Sequence, residues 1–556
     1  QFVGIPQSGH SVMDPDFLAL RRVLLVDDCA PVRASIKGML QQIGFKLIYQ
    51  AKDAIEAISI CEQHALDFIL CDFNLGDCQD GYQLFETLKS RQLLHSMCCF
   101  VIISAESQRQ IVHGVIELQP DDYILKPFTF PVLKERMVKV MKEKMALRKI
   151  FQASQDGDLA EACRQADAII RQQNEVQLQA ERLKGELLLQ AGDYQQAEIY
   201  YQQLVNQRKP VWSKLGLAIS ILQQQRFDEA ERLLSELTEH DETAVESRDY
   251  LAQLYFRRGN LKRAFDILQY VTQLSPKNIP RQKTMANLAL LCHDFAAAAR
   301  IFHKIAGLAR HSMHDSAQNY LNHARCIIDN ANQQAPIDRA NALGHVGKLL
   351  DSLVKRFSPE LIAFDLQILQ VRLLCAKGKL AEAKQLLAKY QQLTEQEHHP
   401  ETCLDAAKAY FETGDIYGCQ FYVSQLRKQL DKANFLTDSQ RLLLNTEQRR
   451  YEALYQQLKQ LIQQATEAYQ QQEYGKAVLI FSRASKEMPT NPALALSLLQ
   501  AMTKCSGVSA DTLPVARNAL SLLQSAPLEQ RVQERFKQYQ QILSKQYSQL
   551  QNTQRG

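Results

Sequence analysis

From about Met145 onward one short turn segment returns at a nearly constant interval, and this period limits the fold of the chain more than any other feature. The segments GDLAEA (Gly157 to Ala162), GDYQQA (Gly192 to Ala197), RFDEA (Arg226 to Ala230), GNLKRA (Gly259 to Ala264) and HDFAAA (His293 to Ala298) align on Ala162, Ala197, Ala230, Ala264 and Ala298, with spacings of 35, 33, 34 and 34 residues. Twelve residues before four of these anchors stand Gly185, Ala218, Ala252 and Ala286, each small enough for two helices to approach closely. Pro210 and Pro276 fall near repeat ends, where they stop a helix. A helix pair of this length cannot bury its apolar side alone, so each must stack on its neighbours.

This pattern resembles the tetratricopeptide repeat. The resemblance implies an all-α superhelical solenoid of about nine helical pairs, regular over 150–310 and irregular over 311–550. In the later part GKLAEA (Gly378 to Ala383), GDIYGC (Gly414 to Cys419) and EYGKA (Glu473 to Ala477, with Pro489 twelve further on) keep the turn signature. Between them, Asp315 to Asn332 and Ser439 to Gln472 read as long helices, the Gln-rich stretch Tyr451 to Gln472 being open to a coiled-coil reading as well. Placed in register, Arg182, Trp212, Gln253, Phe256, Arg257, Lys283 and Asn287 fall on the inner face, a groove suited to an extended peptide or a partner's helix. Lys283 with Asn287 partly resembles a clamp for a terminal carboxylate, and Trp212 equally suits packing between helices.

The first quarter has a different texture. Short apolar runs, VLLV (Val23 to Val26), FILC (Phe68 to Cys71), FVII (Phe100 to Ile103) and YIL (Tyr123 to Leu125), alternate with helix-period segments. Runs apolar throughout are strands of a parallel sheet covered on both faces, an α/β doubly wound fold. Asp27 and Asp28, Asp72, Ser104 and Lys126 each lie at or just after the end of such a run, and strand ends in this fold converge on one crevice. Crowded carboxylates repel one another unless a divalent cation joins them, and an oxygen-only set suits Mg2+. With Lys126 as counter-charge and Ser104 as hydroxyl donor, the set fits phosphoryl transfer to a carboxylate, with Asp72 the natural acceptor.

VLLVDD, ILCDFNLGDCQDG (Ile69 to Gly81), VIISAE (Val101 to Glu106) and YILKPF (Tyr123 to Phe128) occur in the order and spacing of a response-regulator receiver domain, which residues 21–149 resemble. The resemblance implies a five-stranded flavodoxin-like sheet and phosphorylation of Asp72 by a histidine kinase or phosphotransfer protein. It also implies Mg2+ held by Asp27, Asp28, Asp72 and the backbone carbonyl of Asn74. Ser104 and Tyr123 would be the switch pair, Lys126 the phosphate-binding lysine before a cis Pro127, and Asn74 with Glu106 would set the lifetime of the phosphoaspartate. Leu75-Gly76 replaces the usual Met-Pro after the acceptor, and Gly81 comes nine residues after Asp72, one later than usual. A degenerate receiver that takes no phosphate is the alternative on the same fold.

Composition bounds the remainder. With 556 residues, more than one domain is required. Lys and Arg number 65 against 61 Asp and Glu, so there is no electrostatic case for nucleic acid. No apolar stretch is long enough to span a membrane. The 13 cysteines lack CxxC spacing, which disfavours zinc and suits a reducing cytoplasm. His303, His311, His314 and His323 read as solvated or capping residues rather than ligands. Residues 1–20 read as an N-terminal extension, the part before Met13 as a tag remnant.

No glycine or proline interrupts Lys134 to Phe151, so the last receiver helix is expected to run on into the repeats and dock the receiver rigidly on the first of them. The expected function is a two-component response regulator whose phosphorylation controls protein binding by the repeats. The alternative is a phosphorelay modulator that binds or inhibits a sensor kinase or competes for its phosphate. A transcription regulator is disfavoured because no basic recognition helix follows residue 150. No enzymatic activity is expected beyond the receiver's own Mg2+-dependent phosphorylation and dephosphorylation. Homodimerisation through the receiver or the repeats is a further expected route of signalling.

Overall fold

Five strands, β1 (Arg22–Val26), β2 (Leu47–Ala51), β3 (Phe68–Asp72), β4 (Cys99–Ser104) and β5 (Asp122–Leu125), pair in parallel in the order β2-β1-β3-β4-β5. They belong to a computed structural model that describes residues 15–76, 79–105, 117–389, 398–426, 434–525 and 529–547. The uniformly apolar strands divide their side chains between two cores. Leu24, Val26, Ile69, Cys71, Phe100 and Ile102 face the helices Ala54–Gln63 and Gly81–Ser90. Val23, Leu25, Phe68, Leu70, Val101 and Ile103 face Ala30–Ile43 and Phe130–Ala146. Both faces of the sheet are therefore sealed, as a run without polar alternation requires. Register places Val26 beside Cys71, Asp72 beside Ile103 and Ser104 beside Leu125, which brings the polar strand ends to one edge at the β1/β3 switch point. The tag remnant expected before Met13 lies outside the described residues.

The helical region follows the period read from the sequence. Ala162, Ala197, Ala230, Ala264 and Ala298 are all fully buried, as are Ala218, Ala252 and Ala286. At Gly185 the reason is steric: the Tyr201 ring lies where a Cβ would be, and it occupies the same space at Gly216, so one tyrosine is clasped between two glycines. The turns need a left-handed residue. Gly157, Gly192 and Gly259 supply φ of 82°, 75° and 78°, and where glycine is absent Gln225 and His293 take φ of 63° and 58°. Farther on, Ala383 and Ala477 are fully buried and Cys419 nearly so, and the expected long helix is continuous over Phe435–Gln470.

The junction departs from expectation in one respect. The last receiver helix stops at Ala146 and a second helix begins at Arg148, because Leu147 leaves helical geometry at φ −88° and ψ 1°. Leu147 is nevertheless buried, in a cluster with Ile150, Ala162, Ala166, Val176 and Ala180. Leu147 thus packs with the first repeats, directly after the last receiver helix.

The chain divides into two compact units, residues 1–288 with 305–315, and residues 289–304 with 316–556. The receiver and the regular repeats up to Leu288 fall in the first of these units. In the second unit, Arg372 is 1% exposed and donates to Asp405 Oδ1 at 2.7 Å, Asp329 Oδ1 at 2.6 Å and Glu412 Oε1 at 2.9 Å. Lys408 Nζ bonds Asp329 Oδ2 at 2.8 Å, and Arg325 bonds Asp365 at 3.0 Å. Three helices, Ala317–Ala331, Pro359–Ala376 and Pro400–Glu412, are tied together by this lattice. His323 is 6% exposed with the rings of His303 and His345 beside it, so it is a core residue and not a solvated one. Among the described residues no helix is long and apolar enough to cross a membrane.

Candidate functional site

The parallel register builds the acidic pocket. β1 ends at Val26 and delivers Asp27 and Asp28, β3 ends at Asp72, β4 ends at Ser104, and Lys126 follows β5. Carboxylate oxygens of Asp27, Asp28 and Asp72 lie within 4.8 Å of one another. Asp27 is buried and Asp28 exposed, so the pocket has a fixed floor and an open rim. The Asp27 carboxylate is held by the Cys29 amide at 2.9 Å and its backbone carbonyl by the Arg33 guanidinium at 2.6 Å. Arg33 was not singled out from the sequence. It lies in the first turn of the following helix, within reach of the residue that begins the loop.

Lys126 Nζ bridges two of the acids, 2.8 Å from Asp27 Oδ2 and 3.1 Å from Asp72 Oδ2. The peptide bond after it, to Pro127, is cis. Burial pushes the Asp72 carboxyl above its ordinary value while Lys126 pulls it down. Burial lowers the Lys126 ammonium, but hydrogen bonding to Asp27 and the charge of Asp72 outweigh it and hold the group above its usual value. Excess negative charge and partial burial make this a site that welcomes a further cation. An all-oxygen donor set of this kind fits Mg2+.

Gly81 closes the loop after the acceptor despite its altered length. Its amide donates to the Phe73 carbonyl at 2.8 Å, and a Cβ there would collide with the Asp72 carbonyl and crowd Phe73 and Cys71. Asp80 then caps the helix Gly81–Ser90, accepting from the Gln83 amide at 2.9 Å. Ser104 is 1% exposed at the end of β4, and Tyr123 is half-buried against the core beneath Gly81–Ser90. Asn74 is exposed beside the pocket. Glu106 lies outside the described residues.

The groove candidates are less coherent. Arg182 is spent on Glu186 one turn along its own helix, at 2.9 Å. Trp212 is half-buried with its ring edge-on to Tyr201, a packing role. Gln253, Phe256 and Lys283 are half-buried, and exposed Arg257 donates to Gln223 Oε1 at 3.0 Å. Asn287, expected on an open face with Lys283, is 5% exposed, so packing in the helix Ile279–Leu291 has taken it from the groove.

Comparison with known proteins agrees with this geometry. Residues 23–138 match the response regulator receiver domain family, and 153–210 and 215–279 match the tetratricopeptide repeat family. The chain therefore carries an N-terminal response-regulator receiver followed by tetratricopeptide repeats. Over 119 residues it is 29% identical to chemotaxis protein CheY-3 of Vibrio cholerae, an alignment covering 21% of this chain and 90% of that protein. It is 28% identical over 119 residues to chemotaxis protein CheY of Pseudomonas aeruginosa, covering 21% of this chain and 94% of the relative. Among solved structures, the chemotaxis response regulator CheY4 of Vibrio cholerae aligns with 22% of this chain and 98% of its own, at 20% identity and a TM-score of 0.20.

Proposed function

We propose that Asp72 accepts a phosphoryl group from a histidine kinase or phosphotransfer protein, and that this event controls the binding of a partner protein by the repeats. The gathering of Asp27, Asp28 and Asp72 in one pocket, with Lys126 paired to Asp27 and Asp72, supports the reading. A carboxylate oxygen of Asp72 attacks phosphorus, the P–N bond to the donor imidazole breaks, and the departing nitrogen takes a proton. The product is an acyl phosphate, and water later returns the carboxylate and inorganic phosphate. Asp27, Asp28, Asp72 and the Asn74 carbonyl would hold Mg2+, which supplies charge neutralisation at the phosphoryl oxygens when bound. Lys126 turns from Asp72 toward the new phosphoryl group, Ser104 donates its hydroxyl to it, and Tyr123 moves inward behind Ser104. Asn74 and Glu106 set access of the hydrolytic water. The chain has no other catalytic role in this reading.

Full-length protein incubated with acetyl phosphate and Mg2+ should show one retarded band on a phosphate-affinity gel, absent for Asp72→Asn. Affinity capture with beryllofluoride-loaded protein against Asp72→Asn should then retain a non-kinase partner in one state only. A band that survives in Asp72→Asn would remove Asp72 as acceptor. Capture of the same proteins in both states would separate the repeats from the receiver's signal.

A further inference from the structure

The receiver meets the repeats at a second place, far along the chain from Leu147. Glu117, which lies between β4 and β5, is gripped by four donor groups from the segment Ser275–Arg281. Ser275 Oγ lies 2.7 Å from Oε2, Arg281 Nη2 lies 2.6 Å from Oε1, Arg281 Nη1 lies 3.3 Å from Oε2, and Asn278 bonds Oε1. Arg281 is itself 6% exposed and anchored by Asp249 of the preceding repeat at 2.7 Å, so the grip is rigid on the repeat side. Beside it, Lys277 pairs with Asp80, the cap of Gly81–Ser90, and its ammonium stands 4.3 Å from the centre of the Phe73 ring. Gln83 of the same helix donates to the Leu308 carbonyl at 3.0 Å, and Glu86 meets His314 at 2.9 Å. All of these residues belong to the first compact unit.

The contacts touch the receiver at two places tied to the acidic pocket. Phe73 follows the acceptor Asp72 directly, and the Asp80 loop closes back onto it through Gly81. Glu117 lies on the connection that leaves Ser104 and returns to Tyr123. Any shift of Glu117 would lose its charge-assisted bonds to a buried Arg281 that Asp249 anchors.

We infer that the segment Ser275–Arg281 is a built-in ligand of the receiver, a clamp on Glu117 and Asp80 that opposes phosphorylation of Asp72 and is loosened by it. This rests on the reading of Asp72 as phosphoryl acceptor and adds the route by which the repeats sense it. Linkage makes the effect reciprocal: if the phosphorylated state weakens the clamp, removing the clamp strengthens binding of the phosphoryl mimic by the same factor.

The test is calorimetric titration of the full chain with beryllofluoride in Mg2+, comparing wild type, Glu117→Gln, Arg281→Gln and the double variant. Each single variant should bind about tenfold more tightly, within the range usual for coupled sites. The double variant should bind no more tightly than either single, because both remove one interaction. Lys277→Gln, at a partly exposed position that spares the repeat core, should shift affinity in the same direction by a smaller factor. In wild type, hydrogen exchange at the amides of 275–282 should quicken when beryllofluoride binds. Equal or weaker binding by the variants, or additive effects in the double, overturns the clamp while leaving Asp72 as acceptor. Failure of wild type to bind beryllofluoride through Asp72 overturns the acceptor reading and the clamp together.

Discussion

Two clusters in this molecule each gather carboxylates around a central cation, and they behave as opposites. In the receiver, Lys126 serves Asp27 and Asp72 beside an open rim at Asp28, and the acids are left with less positive charge than they need. In the second unit, Arg372 and Lys408 are enclosed with Asp329, Asp405 and Glu412, and the cations are fully engaged. Burial pushes the Asp329 carboxyl up, but Lys408 and Arg372 pull it well below the usual carboxylate range. At Asp72 the balance runs the other way, and the carboxyl sits above its ordinary value. The contrast is between Asp72 and Asp329; Glu412, in the same lattice as Asp329, is pushed up by burial despite Arg372.

Removing one charge should therefore act with opposite sign in the two places. Arg372→Leu removes the shared partner of buried Asp405 and of half-buried Asp329 and Glu412, and should destabilise the second unit by about 3–5 kcal/mol; scanning calorimetry of the full chain should show one transition moving sharply down. Because the Asp329 carboxyl is depressed on folding, its contribution is present above the ordinary carboxylate range and is lost as pH falls below about 4. Wild type should thus lose this transition in acid, and Arg372→Leu should show a flatter acid limb.

Mg2+ offers the next largest effect. At a hundredfold excess over its dissociation constant it should stabilise the receiver by about 2.7 kcal/mol, and Asp27→Asn should abolish the gain. A gain that persists in Asp27→Asn would place the ion elsewhere. Smaller again, Asp72→Asn without Mg2+ should raise receiver stability by up to about 1 kcal/mol. The sign follows from a folded value above the unfolded one, so that ionisation at neutral pH opposes folding. A loss of stability in this variant would erase the contrast between the clusters. Smallest, Gln225→Gly should stabilise the repeats by about 0.5–1 kcal/mol by relieving the left-handed backbone at a turn where other repeats use glycine.

The pocket was legible because its residues sit at fixed offsets from apolar runs, so that a parallel sheet necessarily gathers Asp27, Asp28, Asp72, Ser104 and Lys126. The repeat core was legible for a similar reason: Ala162 through Ala298 recur with the period that builds the packing. The Arg372 lattice was not. Its members are shared among three helices far apart in sequence, and helical period does not distinguish an arginine facing a buried aspartate from one facing water. The clamp on Glu117 was invisible because Arg281 lies 164 positions away in sequence, beyond any local pattern. The break at Leu147 was hidden by an absence of glycine and proline, since a single non-helical residue needs neither. Asn287 was misplaced because a position on the inner helix was equated with exposure.

The burial of Leu147 among residues of the first repeats has a consequence for how such a chain can be rearranged. Signalling proteins are widely regarded as cassettes, their input and output halves exchanged at permissive seams. Here the seam is a hydrophobic residue at 4% exposure, packed against Ile150 on one side of the break and against Ala162 and Ala180 of the first repeats. A cut after this residue would strip the first repeats of part of their core, so a graft would have to keep Leu147 with the repeats. The repeat module accordingly begins at Leu147, where the last receiver helix has just ended.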